Sequence, residues 1–284
     1  MERKLKILYL AAEVTPFAKT GGLADVAGSL PKALRALGHD IRVAMPRYGR
    51  ISIEKFGLEL ILENIQVPMD EQNEPVRIFQ GTLGKDVPVY FIDNARYFDR
   101  ESIYMYPDDA ERFTLFSRAA LEMLKPLGFK PDIIHCNDWH TALIPNWLKT
   151  VYKDDPFYAD IATVYTIHNL AYQGIFGHRV LEIAGLDEYR FHYRTDMADL
   201  DKVVNFMARG IYFADVITTV SPRYAQEILT PEYGERLDPL LRERKDRLFG
   251  ILNGIDYETL NPATDPYIAV NYDADSLDKR VQNK

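Results

Sequence analysis

Short apolar runs rich in β-branched and aromatic residues recur along this chain, and they constrain its fold more than any other feature. The runs occupy residues 7–12, 41–45, 87–92, 133–136, 162–167, 216–220 and 248–252. Helical patterns lie between several of them. This alternation predicts an α/β fold with a doubly wound, mostly parallel sheet that helices cover on both faces. Residues 76–82 and 87–92, joined through 83–86, predict a local β-hairpin insertion.

The charge balance and the cysteine content exclude several classes of protein. The 284 residues carry 42 Asp and Glu against 34 Lys and Arg, a formal net charge of −8. We therefore expect no nucleic-acid or anionic-lipid partner, because no global basic field exists to attract one. The single Cys136 cannot form an internal disulfide, which fits a cytoplasmic location. The first ten residues imitate a signal peptide, but the apolar run is too short and Glu13 interrupts it.

Polar, turn-forming residues follow several of the predicted strands. Such segments occur at 19–22, 137–140, 168–169, 221–222 and 253–256. Since the carboxyl ends of parallel strands meet at one edge, we expect these segments to form one ligand-binding crevice. In the first segment, Lys19 precedes Gly21 and Gly22, which predicts a loop where a helix N-terminus and a cation can bind an anion. A helix start that merely tolerates glycines is the alternative.

Residues 135–140 (HCNDWH) allow two further hypotheses. His135, Asp138 and His140 could supply nitrogen and oxygen ligands to a metal ion, as in a metal-dependent hydrolase. Cys136 beside His140 could act as a thiol nucleophile. A cysteine at the end of a buried strand is more often an inert small hydrophobe.

Five segments, in order along the chain, resemble those of bacterial glycogen synthases and plant starch synthases. They are residues 19–25 (KTGGLAD), 106–113 (YPDDAERF), 135–140 (HCNDWH), 166–174 (TIHNLAYQG) and 250–256 (GILNGID). The resemblance implies the Rossmann-like amino-terminal domain of a GT-B glycosyltransferase. Such enzymes transfer glucose from ADP-glucose to the non-reducing end of an α-1,4-glucan with retention of configuration. The resemblance implies no cofactor and no metal.

The resemblance also implies roles for individual residues. His168 would be the catalytic residue in contact with the transferred glucose. The donor would be bound by Lys19, Gly21, Gly22, Asp25, Asn169 and Asn253. The acceptor glucan would be oriented by Glu13, Tyr104, Asp138, Trp139 and His140. For Trp139 two roles stay open, stacking on a sugar face or packing in the core. The loop around Tyr104 departs from the family pattern, because Glu101-Ser102 replaces a segment richer in glycine and proline.

The resemblance predicts how the chain is divided. We expect residues 1–260 to form the acceptor-side domain and residues 261–284 to begin a linker to an absent carboxyl-terminal nucleotide-binding domain. We expect residues 173–202 to form a long excursion on the binding side. Without the second domain, the chain alone should have little or no transferase activity. A non-catalytic glucan-binding module is the alternative, and the choice between ADP- and UDP-glucose stays open.

Overall fold

The structure is a computed structural model that describes residues 3–188 and 203–284. The described chain forms two compact units, one that ends at Leu252 and one that comprises Asn253–Lys284. Part of the excursion expected at 173–202, residues 189–202, lies outside the described residues.

The first unit is built on one large sheet. Its strands are β1 (Lys6–Leu10), β2 (Asp40–Pro46), β3 (Glu59–Met69), β4 (Gln72–Leu83), β5 (Val87–Asp93), β6 (Ile133–Asn137), β7 (Ala162–Ile167), β8 (Ile175–Gly177), β9 (Val203–Asn205), β10 (Val216–Thr219) and β11 (Leu248–Gly250). Nine of them pair in the order β11-β10-β7-β6-β1-β2-β5-β4-β3, and β8 with β9 forms a separate antiparallel pair.

The large sheet is parallel from β11 to β5 and antiparallel beyond it. β1 pairs in parallel with β2 on one side and β6 on the other, whereas β3, β4 and β5 form antiparallel neighbours. Leu8, Tyr9 and Leu10 of β1 are fully buried, as expected for a strand covered on both faces. The doubly wound, mostly parallel fold with a local hairpin insertion is therefore confirmed. The apolar pattern did not predict β3, which extends the hairpin by one strand.

Helices connect the parallel strands. They are α1 (Gly22–Ala36), α2 (Ile53–Phe56), α3 (Ala95–Phe98), α4 (Asp109–Glu122), α5 (Leu143–Lys149), α6 (Arg179–Ile183), α7 (Phe206–Phe213), α8 (Pro222–Glu227) and α9 (Asp238–Glu243). Several begin at a capping side chain: Ser221, for example, accepts a hydrogen bond from the Tyr224 amide at the start of α8. Since the strand order runs outward from β1 in both directions, right-handed crossovers place helices on both faces.

The second unit is held by local polar contacts. Asn283 pairs with the backbone of Val270, accepting from its N–H at 2.9 Å and donating to its carbonyl at 2.8 Å. Asp273 caps a run of 3₁₀ turns at Ala274–Asn283. Assignment of residues 1–260 to one domain and 261–284 to a linker stays a prediction.

Among all described residues, the helices are too short or too polar for any of them to span a bilayer.

Candidate active site

Three adjacent parallel strands end in polar residues at one edge of the sheet. Glu13 follows β1, Asp138 follows β6 and His168 follows β7. The strand order reverses at β1, with β6 on one side and β2 on the other. Ligands of open α/β sheets bind in the crevice at such a reversal point, outside the carboxyl ends of the strands. The topology therefore places these side chains where the sequence predicts a crevice.

Glu13 joins the glycine-containing loop to Tyr104. One of its carboxylate oxygens accepts hydrogen bonds from the backbone N–H groups of Thr20 and Gly21, the latter at 3.0 Å. The other accepts from the Tyr104 hydroxyl at 2.6 Å. Glu13 is 4% exposed. The Gly21 N–H therefore already has an intramolecular carboxylate as its acceptor.

The two glycines of this loop are not required by the packing of the protein itself. Gly21 has φ −137° and ψ −168°, an extended conformation open to any residue. A Cβ added at Gly21 or Gly22 would lie more than 4 Å from every neighbouring atom of the described residues. Space beside the start of α1 is therefore available to a ligand.

Lys19 and Asp25 form an ion pair on the outer side of the loop. The Lys19 Nζ lies 2.6 and 2.8 Å from the two carboxylate oxygens, and both side chains are about half exposed. An exposed pair of this kind contributes about 0–1 kcal/mol to stability. Lys19 can therefore exchange Asp25 for an anionic ligand at little cost.

Asp138 anchors the loop that follows β7. Its carboxylate accepts the backbone N–H of His168 at 2.8 Å and also that of Asn169. Burial raises the pKa of Asp138 to about 7, although these two hydrogen bonds favour its ionised form. Asp138 has φ +55° and ψ −175°, a region that a side chain normally disfavours. The strained residue thus holds two neighbouring site segments together.

His168 is held in its neutral form. Burial lowers its pKa to about 4, so its imidazole carries no charge near pH 7. Its Nε2 lies 2.9 Å from the Oδ1 of Asn137, the last residue of β6. Asn169 is exposed and accepts a hydrogen bond from the Ala171 amide through its side-chain oxygen.

Trp139 and His140 belong to an aromatic wall behind the site. Their rings lie 4.0 Å apart between centroids, and the His140 ring also lies 4.8 Å from that of Tyr104. Trp139 is 9% exposed, and a Cβ at Gly174 would collide with its ring. Of the two roles left open for Trp139, the structure favours packing. Burial also lowers the pKa of His140 to about 3, and its Nδ1 is buried without a partner among the described residues.

The sequence did not identify Arg112 as a support of this wall. The guanidinium is fully buried in α4 and donates to the carbonyl oxygens of Tyr97 at 2.7 Å and Ile103 at 2.9 Å. It also pairs with Asp109. These bonds hold the segment that carries Tyr104. A basic residue within the apolar pattern of α4 was the available signal.

The structure does not favour the two other hypotheses for residues 135–140, a metal site and a thiol nucleophile. His135 Nε2 lies 2.6 Å from the Thr166 hydroxyl, whereas Asp138 bonds the backbone after β7. Across residues 3–188 and 203–284, no three His, Cys, Asp or Glu side chains are grouped so that they could hold a metal ion. Cys136 is fully buried, and burial raises the pKa of its thiol. In the described part of the chain, the residues of the metal hypothesis are therefore not grouped as a ligand set, and the Cys136 thiol lacks the exposure and lowered pKa of a nucleophile.

The predicted site residues of the first unit thus lie along one rim, whereas Asn253 belongs to the second unit. Glu13 connects the Lys19 loop to Tyr104, and Asp138 connects to the His168 loop. Glu13 and Asp138 are close enough for the charge of Glu13 to raise the pKa of Asp138.

Comparison with known proteins shows the family of the chain and supports its fold. A family model described as the starch synthase catalytic domain matches residues 6–243. The glycogen synthase of Moorella thermoacetica is 53% identical over 100% of this chain and 57% of its own length. The glycogen synthase of Thermotoga maritima is 49% identical over 99% of this chain and 58% of its own length. The solved catalytic domain of starch synthase IV from Arabidopsis thaliana, bound to ADP and acarbose, has a TM-score of 0.88 and 36% identity, covering 97% of this chain and 57% of that chain.

This chain therefore spans a little over half the length of the relatives it matches. The family match covers most of its residues, and the relatives align with nearly all of them. The chain belongs to the starch synthase catalytic domain family.

Proposed function

We propose that the natural protein containing this chain transfers glucose from ADP-glucose to the non-reducing end of an α-1,4-glucan, with retention of configuration. The observation that carries the proposal is the convergence of Glu13, Asp138 and His168 at the reversal point of the sheet. The relatives named glycogen synthase support the reaction. The Arabidopsis starch synthase solved with ADP and acarbose supports ADP over UDP as the leaving group.

The hydrogen bonds of the site favour a reaction without an enzymic nucleophile. The Glu13 carboxylate accepts three hydrogen bonds, and the Asp138 carboxylate accepts two from backbone amides. Carboxylates held in this way serve to position their surroundings. Retention then requires front-face substitution through an oxocarbenium-like state, for which the protein supplies orientation and charge stabilisation.

The roles of the individual residues follow from their positions. Lys19, assisted by Asp25 and the open space at Gly21 and Gly22, would bind the anionic donor. His168 and Asn169 would hold the transferred glucose, while Tyr104 and Asp138 would face the acceptor. Glu13, Trp139 and His140 would act behind them, since all three are buried. Asn253 is proposed as a donor contact from the resemblance alone.

We also propose that this chain supplies one side of the site and that a second domain, within the remaining length of the relatives, supplies contacts to the nucleotide. The chain alone would then show little or no glucosyl transfer. A cytoplasmic location belongs to the same proposal, because the buried Cys136 needs no oxidising compartment.

The test measures incorporation of labelled glucose from ADP-glucose and UDP-glucose into glycogen by the natural protein and by this chain. Lys19→Ala in the natural protein should lower the catalytic efficiency with ADP-glucose about 10- to 150-fold, the range of a lost charged hydrogen bond. Lys125→Ala is the matched control, because the Lys125 side chain is about as exposed as that of Lys19 and also forms an ion pair, with Asp155. Lys125 precedes β6, whereas the candidate site follows that strand.

Two outcomes would contradict the proposal. Unchanged donor kinetics in Lys19→Ala would remove Lys19 from the site. Glucan binding by the natural protein without transfer from either nucleotide sugar would support the glucan-binding module instead.

A further inference from the structure

Asn137 lies at the junction of three strands behind the candidate site. It is the last residue of β6 and is fully buried. Its side-chain Nδ2 donates to the Leu10 carbonyl of β1 at 2.8 Å. Its Oδ1 accepts from the Tyr9 hydroxyl at 3.1 Å and lies 2.9 Å from His168 Nε2. One buried amide therefore connects β1 with the residue that begins the loop after β7.

These contacts determine where the proton of the His168 imidazole lies. A backbone carbonyl can only accept, so the amide nitrogen of Asn137 must face Leu10 and its oxygen must face His168. An amide oxygen cannot donate, so His168 Nε2 carries the hydrogen. Because burial keeps the imidazole neutral, its Nδ1 has no proton and can only accept.

The neighbours of Asn137 keep this arrangement fixed. Burial raises the pKa of Tyr9, so its phenol stays protonated and donates to Asn137 at all ordinary pH values. The backbone N–H of His168 is held separately by Asp138 at 2.8 Å. Both the backbone and the ring of His168 are thus oriented before any ligand arrives.

We propose that Asn137 is a positioning residue that fixes the Nε2–H tautomer of His168 and so presents Nδ1 to the crevice as a hydrogen-bond acceptor. The ligand atom that pairs with Nδ1 must then be a donor. Ionised phosphate oxygens have no hydrogen to donate, whereas a sugar hydroxyl does. Resting on the proposed function, this assigns His168 Nδ1 to a hydroxyl of the transferred glucose and excludes the diphosphate as its partner.

The test reads the tautomer of His168 directly by long-range ¹H–¹⁵N correlation NMR on this chain, without substrate. The wild type should show protonated Nε2 and unprotonated Nδ1 from pH 6 to pH 8. Tyr9→Phe is the control, since it removes one hydrogen bond from Asn137 and leaves the acceptor of His168 in place. The tautomer should not change in Tyr9→Phe.

Two substitutions at Asn137 separate positioning from a merely structural role. Asn137→Ala removes the acceptor, so both tautomers should be detected. In Asn137→Asp a protonated carboxyl can donate to the Leu10 carbonyl with one oxygen and accept from Nε2 with the other, so this variant should restore the single Nε2–H form. In the natural protein, Asn137→Ala should lower kcat for glucosyl transfer roughly 3- to 10-fold, as for one lost hydrogen bond, and Asn137→Asp should lower it less.

A wild-type spectrum with protonated Nδ1 would overturn the proposal, even if the Asn137 variants fail to fold. An unchanged single tautomer in a folded Asn137→Ala would also overturn it. The absence of glucosyl transfer by the natural protein would instead contradict the proposed function and leave the tautomer assignment standing.

Discussion

Replacing Glu13 should destabilise the glycine-containing loop at residues 19–22, and the free energy lost should depend on the residue that replaces it. Glu13→Ala leaves the Tyr104 hydroxyl and the amides of Thr20 and Gly21 without their acceptor. The two amides belong to exposed residues and can bond water, whereas the Tyr104 side chain that carries the hydroxyl is partly buried. All three bonds are charge-assisted. The Tyr104 bond counts in full at about 1.5–3 kcal/mol, and the two amides that water can reach add about 0.5 kcal/mol each, so the expected loss is about 2.5–4 kcal/mol.

Glu13→Gln should cost much less. The glutamine oxygen can accept the amides of Thr20 and Gly21, and its NH₂ can donate to the Tyr104 oxygen, which then acts as an acceptor. Only the charge assistance is lost, so about 1 kcal/mol is expected. Tyr104→Phe is the matched control, because it removes the other bond of Glu13 and leaves the loop amides paired.

The assay combines urea unfolding with amide hydrogen exchange. In the wild type, the Thr20 and Gly21 amides should exchange slowly although both residues are exposed. Glu13→Ala should accelerate them about 30- to 150-fold, equivalent to about 2–3 kcal/mol of local stability, and Tyr104→Phe should leave them protected. Equal exchange rates at these amides in the wild type and in Glu13→Ala would refute the role of Glu13.

Three further substitutions test the burial and the backbone geometry. His140 is buried, and His135 and His168 are partly buried. Loss of solvation lowers the pKa values of His135, His140 and His168 to about 3, 3 and 4, so protons bind them mainly after unfolding, and stability falls as pH drops from about 6.5 towards 4. His140→Phe should take up one proton fewer on unfolding than the wild type. Between pH 6 and 4, its free energy of unfolding, measured in urea, should therefore fall by about 1.4 kcal/mol less per pH unit than that of the wild type. Met105 has φ +74° and is 93% exposed, so its backbone is strained while its side chain packs against little. Met105→Gly should raise the free energy of unfolding in urea by about 0.5–1 kcal/mol, and a decrease would contradict strain at this residue. Gly22→Ala should keep or raise thermal stability but weaken ADP-glucose binding in the natural protein, and unchanged binding would show that no ligand approaches Gly22.

The parallel strands were predictable because each is a short apolar run buried on both faces. β3 was not, since most of its side chains are exposed and two irregularities in its pairing with β4, near Leu60 and Leu62, interrupt the alternation. Only toward its end do Ile65, Val67 and Met69 alternate regularly with exposed residues. A period-2 pattern this short did not distinguish a strand from a loop.

The convergence of Glu13, Asp138 and His168 was predictable because residues that follow parallel strands meet at one edge. The supports behind them were not. Asn137 and Arg112 are buried polar side chains, and the partners of Asn137 on β1, such as Leu10, lie far away in sequence. Which polar residue is buried, and with what acceptor, depends on strand order and packing, and neither can be read from local pattern.

We propose that one glucan-binding crevice lies beyond the carboxyl ends of β1, β6 and β7. The most direct test is a titration of the ¹⁵N-labelled chain with maltoheptaose, followed by backbone amide chemical shifts. We expect shifts at Tyr104, Asp138 and His168, and none at Asp40 or Asp132, which lie at the opposite ends of the strands. Shifts confined to that opposite edge, with the amides at Asp138 and His168 unmoved at saturation, would contradict a glucan site at this edge of the sheet.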